Sequence, residues 1–286
     1  MSTAALDRLR TNIQSVFLGN PRAVDLLLIG LLARGHVLIE DVPGVGKTVL
    51  AKSLAKSIDC DKNVFDFKPG PIFTNILLAD EINRTTPRTQ SALLEAMAEE
   101  QVSVENRTIA LERPFMVVAT QNPFEFEGTY HLPENQLDRF ILKIAVGYPP
   151  RSSEHRILTT QPGRGALDNL KPVLHAKEII ALQDSVPNVK IDQGIVEYIL
   201  DLVDSTRRHE QLHLGLSTRG ALALTAAVQS AAVLAGRDHV LPDDVKSLFI
   251  ACCAHRVISK AYLGNGDAEA TGRVLQSILD QVPAPK

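Results

Sequence analysis

The sequence predicts an α/β fold with a doubly wound, mainly parallel sheet, followed by a second domain made of helices. Four short apolar runs lack polar alternation, as expected of strands covered on both faces. Helix-like segments separate these runs, which is the order typical of a parallel sheet. After residue 150 the strand-like runs disappear and helical periodicity dominates. A chain of 286 residues is long enough for two domains. We therefore expect an α/β core over residues 1–149 and a helical domain over residues 150–286.

The core elements can be predicted in order along the chain. Asn20 and Pro21 fit the cap and first position of a helix that ends at Gly35. An inserted hairpin is expected over residues 101–111, where apolar and polar residues alternate on either side of a polar turn. The predicted strands cover residues 36–40, 76–79, 115–119 and 141–146. The later helices are predicted at residues 176–185, 192–207, 218–235, 242–258 and about 270–279.

Composition narrows the class of protein. The net charge of −3 and the isoelectric point near 6.2 argue against a protein that neutralises phosphates along a nucleic acid, so a nucleic-acid partner is not expected. The three cysteines have no metal-ligand spacing and suit a cytoplasmic location. The first residues do not follow the pattern of a signal peptide, and no uncharged run approaches the ~20 residues that span a bilayer. Direct membrane insertion is therefore not expected.

One stretch of the predicted core is too short. A strand and the next crossover need about 15 to 18 residues. Only residues 59–74 are available, and two prolines make part of this span unsuitable for a regular strand or helix. Either an edge strand has been lost in this chain, or residues near Cys60-Asp61 are missing from the sequence, and omission is favoured. An intact chain would keep consecutive Cα atoms about 3.8 Å apart from Asp59 through Asn63.

Residues 41–48 read Asp-Val-Pro-Gly-Val-Gly-Lys-Thr and predict a phosphate-binding loop between a strand and a helix. Glycines at 44 and 46 let backbone N–H groups approach phosphates without a crowding side chain. Lys47 adds a point charge, and the Thr48 hydroxyl can ligate Mg²⁺. A nucleoside triphosphate is therefore the expected ligand. A Gly-Lys-Thr turn with no ligand is the alternative. The candidate nucleotide-binding residues of this loop are Pro43, Gly44, Val45, Gly46, Lys47, Thr48 and Val49.

Polar residues end two other predicted strands. Asp80 and Glu81 follow the run at 76–79, where open α/β sheets place their ligands. Asp80 suits Mg²⁺, and Glu81 can orient and polarise an attacking water. Asn122 ends the next buried strand and would lie beside Glu81 if the two strands are neighbours. The alternatives are an acidic strand end facing solvent and an Asn-Pro turn without a chemical role.

Several dense motifs together resemble the MoxR-type AAA+ ATPases. The resemblance covers about residues 35–149 densely and the rest more loosely. It rests on residues 43–48, 69–73, 77–84, 89–97, 119–123, 127–130 and 132–140. It implies an AAA+ P-loop core followed by a helical lid. Two departures are that Asp41 replaces the first Walker A glycine and that residues 59–74 lack the family's edge strand and much of its helix-two insertion.

The resemblance also implies roles for individual residues. Asp80 and Glu81 correspond to the Walker B pair and Asn122 to sensor 1. Arg139 corresponds to an arginine finger and Arg219 to sensor 2 in the lid. Arg139 is expected to reach the γ-phosphate of a neighbouring subunit, because it precedes the last core strand at the rim of the sheet. A surface arginine paired with an adjacent acid, and a solvent-facing arginine at a helix start, are the respective alternatives.

The family further implies how the protein works. The hairpin near residues 101–114 corresponds to the pre-sensor-1 insertion. ATP and Mg²⁺ are the expected cofactors, and the expected assembly is a homo-oligomeric ring of six subunits. The ring is expected to remodel, mature or assemble client proteins, with partners that carry von Willebrand factor A domains. A nucleic-acid motor or loader of the same superfamily and a nucleotide-binding scaffold without turnover are the alternatives. The residues do not identify the client.

Overall fold

The computed structural model describes residues 2–60, 70–104, 107–123, 130, 132–160, 164–261 and 269–285. Its strands are β1 (His36–Glu40), β2 (Ile58–Asp59), β3 (Ile76–Ala79), β4 (Gln101–Val104), β5 (Arg107–Ala110), β6 (Met116–Gln121), β7 (Phe140–Ile144), β8 (Leu174–His175), β9 (Leu212–Leu214) and β10 (Ile258–Ser259). Its helices are α1 (Ser2–Val16), α2 (Pro21–Leu32), α3 (Lys47–Ser57), α4 (Pro87–Glu99), α5 (Glu134–Leu137), α6 (Arg151–Thr160), α7 (Arg164–Asp168), α8 (Ala176–Ser185), α9 (Gln193–Arg208), α10 (Thr218–Leu234), α11 (Pro242–Cys253) and α12 (Ala270–Gln281).

The predicted parallel sheet is confirmed. Four strands lie in the order β3, β6, β1, β7, and every pair of neighbours is parallel. Val37 pairs with Val118, and Ile76 pairs with Met116. Because the strands are parallel, the carboxyl ends of β1, β3 and β6 meet at one edge of the sheet. This edge carries the candidate nucleotide site.

Both faces of the sheet are covered, which explains why its strands are apolar runs without alternation. On one face, α2 and α3 pack against the sheet and α1 packs on these two helices, all within the larger of two buried apolar clusters. On the other face, Leu38 and Val117 pack with residues of α4 such as Leu94. The predicted start of α2 is confirmed, since the Asn20 side chain accepts a hydrogen bond from Arg22 N at 2.9 Å. The sequence interpretation did not include α1.

The predicted hairpin is formed by β4 and β5, which pair antiparallel between α4 and β6. Its turn at 105–106 lies outside the described residues, as do part of the short span at 61–69 and the motif residues 127–129. The expected Cα spacing of about 3.8 Å from Asp59 through Asn63 falls partly on these residues and stays a prediction. β2 pairs with β8 in a separate two-stranded sheet.

Helices dominate the chain after residue 150, as predicted, and they are joined by short strands that the sequence did not indicate. The strands are β8, β9 and β10, each of two or three residues. The helix predicted over 242–258 is too long, because α11 ends at Cys253. One carbonyl of its last turn, Cys252 O, accepts from the Arg256 side chain at 2.6 Å. None of the described helices is both long and apolar enough to cross a membrane.

Candidate nucleotide-binding site

The loop between β1 and α3 has the backbone geometry of an anion-binding turn. Gly44 and Gly46 have φ angles of 87° and 94°, in the left-handed region that favours glycine. Around Gly44 there is open space, since a Cβ there would meet no atom within 4 Å. Gly46 occupies the cap position of α3, and no side chain caps that helix start. The first N–H groups of α3 can therefore donate to a phosphate, and the helix dipole favours its negative charge.

Lys47 lies at the carboxyl ends of two strands. Its ammonium group donates to Asp41 O at 2.5 Å and to Gln121 O at 3.2 Å. These carbonyls belong to the residue after β1 and to the last residue of β6. The charge is thus held beside the loop by neutral acceptors, which a triphosphate can replace with charged oxygens.

Asp41, where the family consensus has glycine, connects the loop to the chain after β7. One carboxylate oxygen accepts from Val42 N and the other from Gly147 N, both at 2.7 Å. Gly147 has a φ of 71°, which a residue with a Cβ would rarely adopt. The aspartate therefore anchors the start of the loop to the segment that leads into α6.

Asp80 lies between the loop and β6. Its Oδ2 accepts from the Thr48 hydroxyl at 3.2 Å, and its Oδ1 accepts from the Thr120 hydroxyl at 2.5 Å. The same Thr120 hydroxyl accepts from Glu81 N at 2.9 Å. Thr120 is fully buried. It therefore fixes both acids from the neighbouring strand, a contact that the sequence interpretation missed.

Glu81 leaves β3 in a strained conformation. Its φ of 52° and ψ of 51° lie in the left-handed region, which is uncommon for a residue with a Cβ and typical of functional sites. Its carboxylate pairs with Arg84 at 3.0 Å, and both side chains are about half exposed. Asn122 is buried at the end of β6, the strand next to β3, as the sequence predicts. Glu81 is thus exposed at the surface, whereas Asn122 is buried.

The oxygen atoms at this edge of the sheet are suitable ligands for a hydrated Mg²⁺ ion. Thr48 and Asp80 together offer a hydroxyl and a carboxylate, the oxygen ligands that this ion prefers. Within the described residues, no group of three or more His, Cys, Asp or Glu is gathered as a metal site. An ion held here would thus take its other ligands from phosphates and water, as Mg²⁺ commonly does.

The two predicted arginines, Arg139 and Arg219, have described contacts with residues outside the phosphate-binding loop. Arg139 donates to Leu94 O of α4 at 2.6 Å, and its buried Nε has no hydrogen-bond partner within the described residues. Arg219 is 65% exposed and lies 3.7 Å from an Asp138 oxygen. Among the described residues, the ion pairs of Asp138 are with Arg219 and Arg256 and not with Arg139.

Arg256 and His255 are core contacts of the helical region that the sequence interpretation missed. The Arg256 side chain is 3% exposed and lies 2.8 Å from Asp138. His255 Nε2 lies 2.7 Å from Phe140 O, so this nitrogen carries the proton and donates it. Burial, followed by the nearby positive charge of Arg256, holds the pKa of His255 well below its ordinary range. The histidine is thus a neutral donor to β7.

Comparison with known proteins agrees with this architecture. Residues 58–142 match the family described as ATPase family associated with various cellular activities (AAA), and residues 204–278 match the AAA lid domain. The chain aligns over its whole length with a crystal structure from Cytophaga hutchinsonii of a protein described as a candidate ATPase. The TM-score is 0.87, the identity is 31% and the match covers 96% of that chain. Fold and site therefore define an AAA ATPase core with its lid.

Similar sequences narrow the class further. An uncharacterised protein of Bacillus subtilis, YeaC, is 44% identical, with 96% of this chain and 93% of the relative covered. Chaperone MoxR1 of Mycobacterium tuberculosis is 35% identical, with 98% and 82% covered. The chain belongs to the MoxR family of AAA+ ATPases. The two alignments span 300 and 318 residues, more than the 286 of this chain, so these relatives contain residues that it lacks. Whether the difference falls at 59–74 stays a prediction.

Proposed function

We propose that this protein hydrolyses ATP in an Mg²⁺-dependent reaction and uses the energy to remodel client proteins. The proposal rests chiefly on one observation: the glycine turn, Lys47 and Asp80 lie together at the carboxyl edge of the sheet. Thr48 joins the loop to Asp80 at 3.2 Å, and Lys47 reaches the adjacent strand end at 3.2 Å. A triphosphate bound on the turn would therefore meet the lysine, the hydroxyl and the acid together.

The residues divide the chemistry between them. Backbone N–H groups of the turn and Lys47 bind and orient the phosphates, and Thr48 and Asp80 hold Mg²⁺, which neutralises phosphate charge when bound. Glu81 accepts a hydrogen bond from the attacking water and polarises it. Asn122, on the neighbouring strand, holds that water in line. The Glu81–Arg84 pair is exposed at both ends, so the carboxylate can exchange this partner for water at little cost.

Arg139 is proposed to act on a neighbouring subunit in a ring of six. Phosphoryl transfer is accelerated by neutralising charge on the transferred group, and an arginine supplied in trans can contribute about 10³–10⁵ in rate. The side-chain bond of Arg139 within the described residues supports this role, because its acceptor, Leu94 O, is neutral and a phosphate would be a stronger partner. Arg219 is proposed to contact the nucleotide of its own subunit from the lid.

The dependence of activity on protein concentration tests this proposal. Wild-type specific activity should rise with concentration as rings form, and Arg139→Ala should lower activity and remove that rise while nucleotide binding is kept. Arg208→Ala is the matched control, because Arg208 is 82% exposed on α9 and forms a surface ion pair with Asp204. A variant at 139 that keeps both the activity and the rise would refute the trans contact.

Client remodelling is proposed from the family and from the name of the similar chaperone MoxR1. A Glu81→Gln variant should bind ATP without releasing phosphate and so retain a client. Affinity capture with this variant in the presence of ATP, against the same variant without nucleotide, would identify partners, including any with von Willebrand factor A domains. Equal capture in both conditions would contradict an ATP-driven interaction. Strong, salt-dependent DNA binding would favour a nucleic-acid motor instead.

A further inference from the structure

A buried arginine of the helical region is bonded to the chain segment on both sides of Arg139. Arg256 Nε donates to Asp138 Oδ1 at 2.8 Å. Its terminal nitrogens donate to Asp138 O at 3.1 Å, Phe140 O at 2.9 Å and Ile141 O at 3.1 Å. A further bond to Cys252 O, at 2.6 Å, ties the same guanidinium to the end of α11. One planar group thus links the last turn of a lid helix to the residues around the proposed finger.

This linkage constrains Arg139 more than its own side-chain contacts do. The carbonyls immediately before and after it, at Asp138 and Phe140, are both held by Arg256. Phe140 O also receives the His255 bond at 2.7 Å. The guanidinium of Arg139 makes one described side-chain bond, to Leu94 O. The backbone of the finger is therefore held by the lid, while its head group makes a single side-chain bond within the described part of the chain.

Asp138 also contacts the second proposed nucleotide-contacting arginine. Its other oxygen lies 3.7 Å from Arg219, whose side chain is 65% exposed. An exposed pair at this distance is weak and exchanges readily, whereas the Arg256 contact is buried, short and part of a network. The Asp138 carboxylate is therefore shared between Arg256, which is held in place, and Arg219, which a bound phosphate can attract away from it.

We propose that Asp138 and Arg256 are positioning residues that set the placement of Arg139 for the neighbouring subunit and make that placement depend on the lid. This inference rests on the proposed trans role of Arg139. When the lid shifts relative to the core, Arg256 carries the backbone at 138–141 with it. If a bound phosphate draws Arg219 away, Asp138 loses one of its two positively charged partners, next to the backbone of Arg139.

A mixing experiment separates this role from a structural one. Asp138→Asn keeps an acceptor for Arg256 Nε and loses the charge, so it should bind ATP normally. We expect its kcat to fall about 10- to 100-fold, because displacement of a reacting group by about 1 Å has effects of this size. KM should stay within about twofold. Lys47→Ala subunits have no competent loop but retain a correctly placed Arg139. Mixed rings should therefore regain activity, since each Lys47→Ala subunit can supply its arginine to an Asp138→Asn neighbour.

The outcomes are distinct. If subunits mix at random in a ring of heterologous contacts, about a quarter of the sites pair an intact loop with an intact finger. Recovery toward that fraction supports the inference, and no recovery overturns it. Arg139→Ala mixed with Lys47→Ala is the control for the underlying proposal: if that mixture also stays inactive, the trans finger itself fails. If Asp138→Asn does not fold, as judged by circular dichroism, Arg256→Lys keeps the buried charge and enters the same two mixtures, with the same two outcomes.

Discussion

The Thr120 hydroxyl offers a test of how the site is held together. It joins two strands by donating to Asp80 Oδ1 at 2.5 Å and accepting from Glu81 N at 2.9 Å. Thr120→Val has nearly the same shape and keeps neither bond. Because Thr120 is fully buried, no water can replace the hydroxyl without a rearrangement.

The expected loss can be worked out from these contacts. A hydrogen bond to a charged group contributes about 1.5–3 kcal/mol and a neutral one about 0.5–1.5 kcal/mol, and an unsatisfied buried N–H adds a desolvation penalty. We expect Thr120→Val to lower the free energy of unfolding by about 2–4 kcal/mol. Glu81 is also held in a left-handed conformation that costs about 1–2 kcal/mol, so losing its N–H partner favours relaxation of that turn. The carboxylate would then move, and kcat should fall about 10- to 100-fold.

Urea unfolding and steady-state phosphate release measure the two effects on the same variant. Thr120→Ser is the matched control. It keeps the hydroxyl and loses one buried methyl group, so its stability should fall by only about 1 kcal/mol with kcat nearly unchanged. The reasoning is refuted if the valine variant unfolds at the wild-type midpoint and turns over at the wild-type rate, or if serine is as damaging as valine.

Three further outcomes are expected from the described contacts. Lys47→Ala should weaken ATP binding at least tenfold in a fluorescent-nucleotide titration, while exposed Lys177→Ala leaves it unchanged. Asp41→Ala removes two charge-assisted bonds, to Val42 N and to Gly147 N, and should lower the unfolding free energy by about 2–4 kcal/mol; an unchanged urea midpoint would contradict the anchoring role. Burial lowers the pKa of His36 below its ordinary 6.5, so the unfolded chain binds this proton first, and the same holds for His255; stability should fall as pH drops below about 6.5, and His36→Gln should make the urea midpoint depend less steeply on pH, with a remainder due to His255.

The sequence was most informative about the sheet and the strand ends. Apolar runs covered on both faces are easily distinguished from the amphipathic helices between them, so the four parallel strands were predicted close to their observed bounds. The parallel arrangement also explains why Asp80 and Asn122, 42 positions apart, lie on neighbouring strands of one edge. Thr120 could have been found in the same way, because the Ala79–Ala119 register places it directly beside Asp80.

Contacts between distant segments could not be predicted. Arg256 falls inside the helix predicted over residues 242–258 and reads there as an ordinary polar residue, yet its side chain is almost fully buried and donates to five oxygen atoms of the core and α11. α11 also ends at Cys253, earlier than helical periodicity alone indicates. The Asp41 bond to Gly147 likewise depends on tertiary packing, since the two residues are 106 positions apart. Such long-range polar contacts leave no periodic signal in a single sequence.

The acids at this edge are proposed to activate water against a bound triphosphate, and phosphate release by Glu81→Gln tests this role most directly. The side chain keeps its size and loses its basicity, so we expect ATP to bind as in the wild type. Phosphate release should fall at least about 100-fold. Glu95→Gln, an exposed change on α4, should leave both quantities unchanged. Wild-type phosphate release by the Glu81→Gln protein would contradict the account.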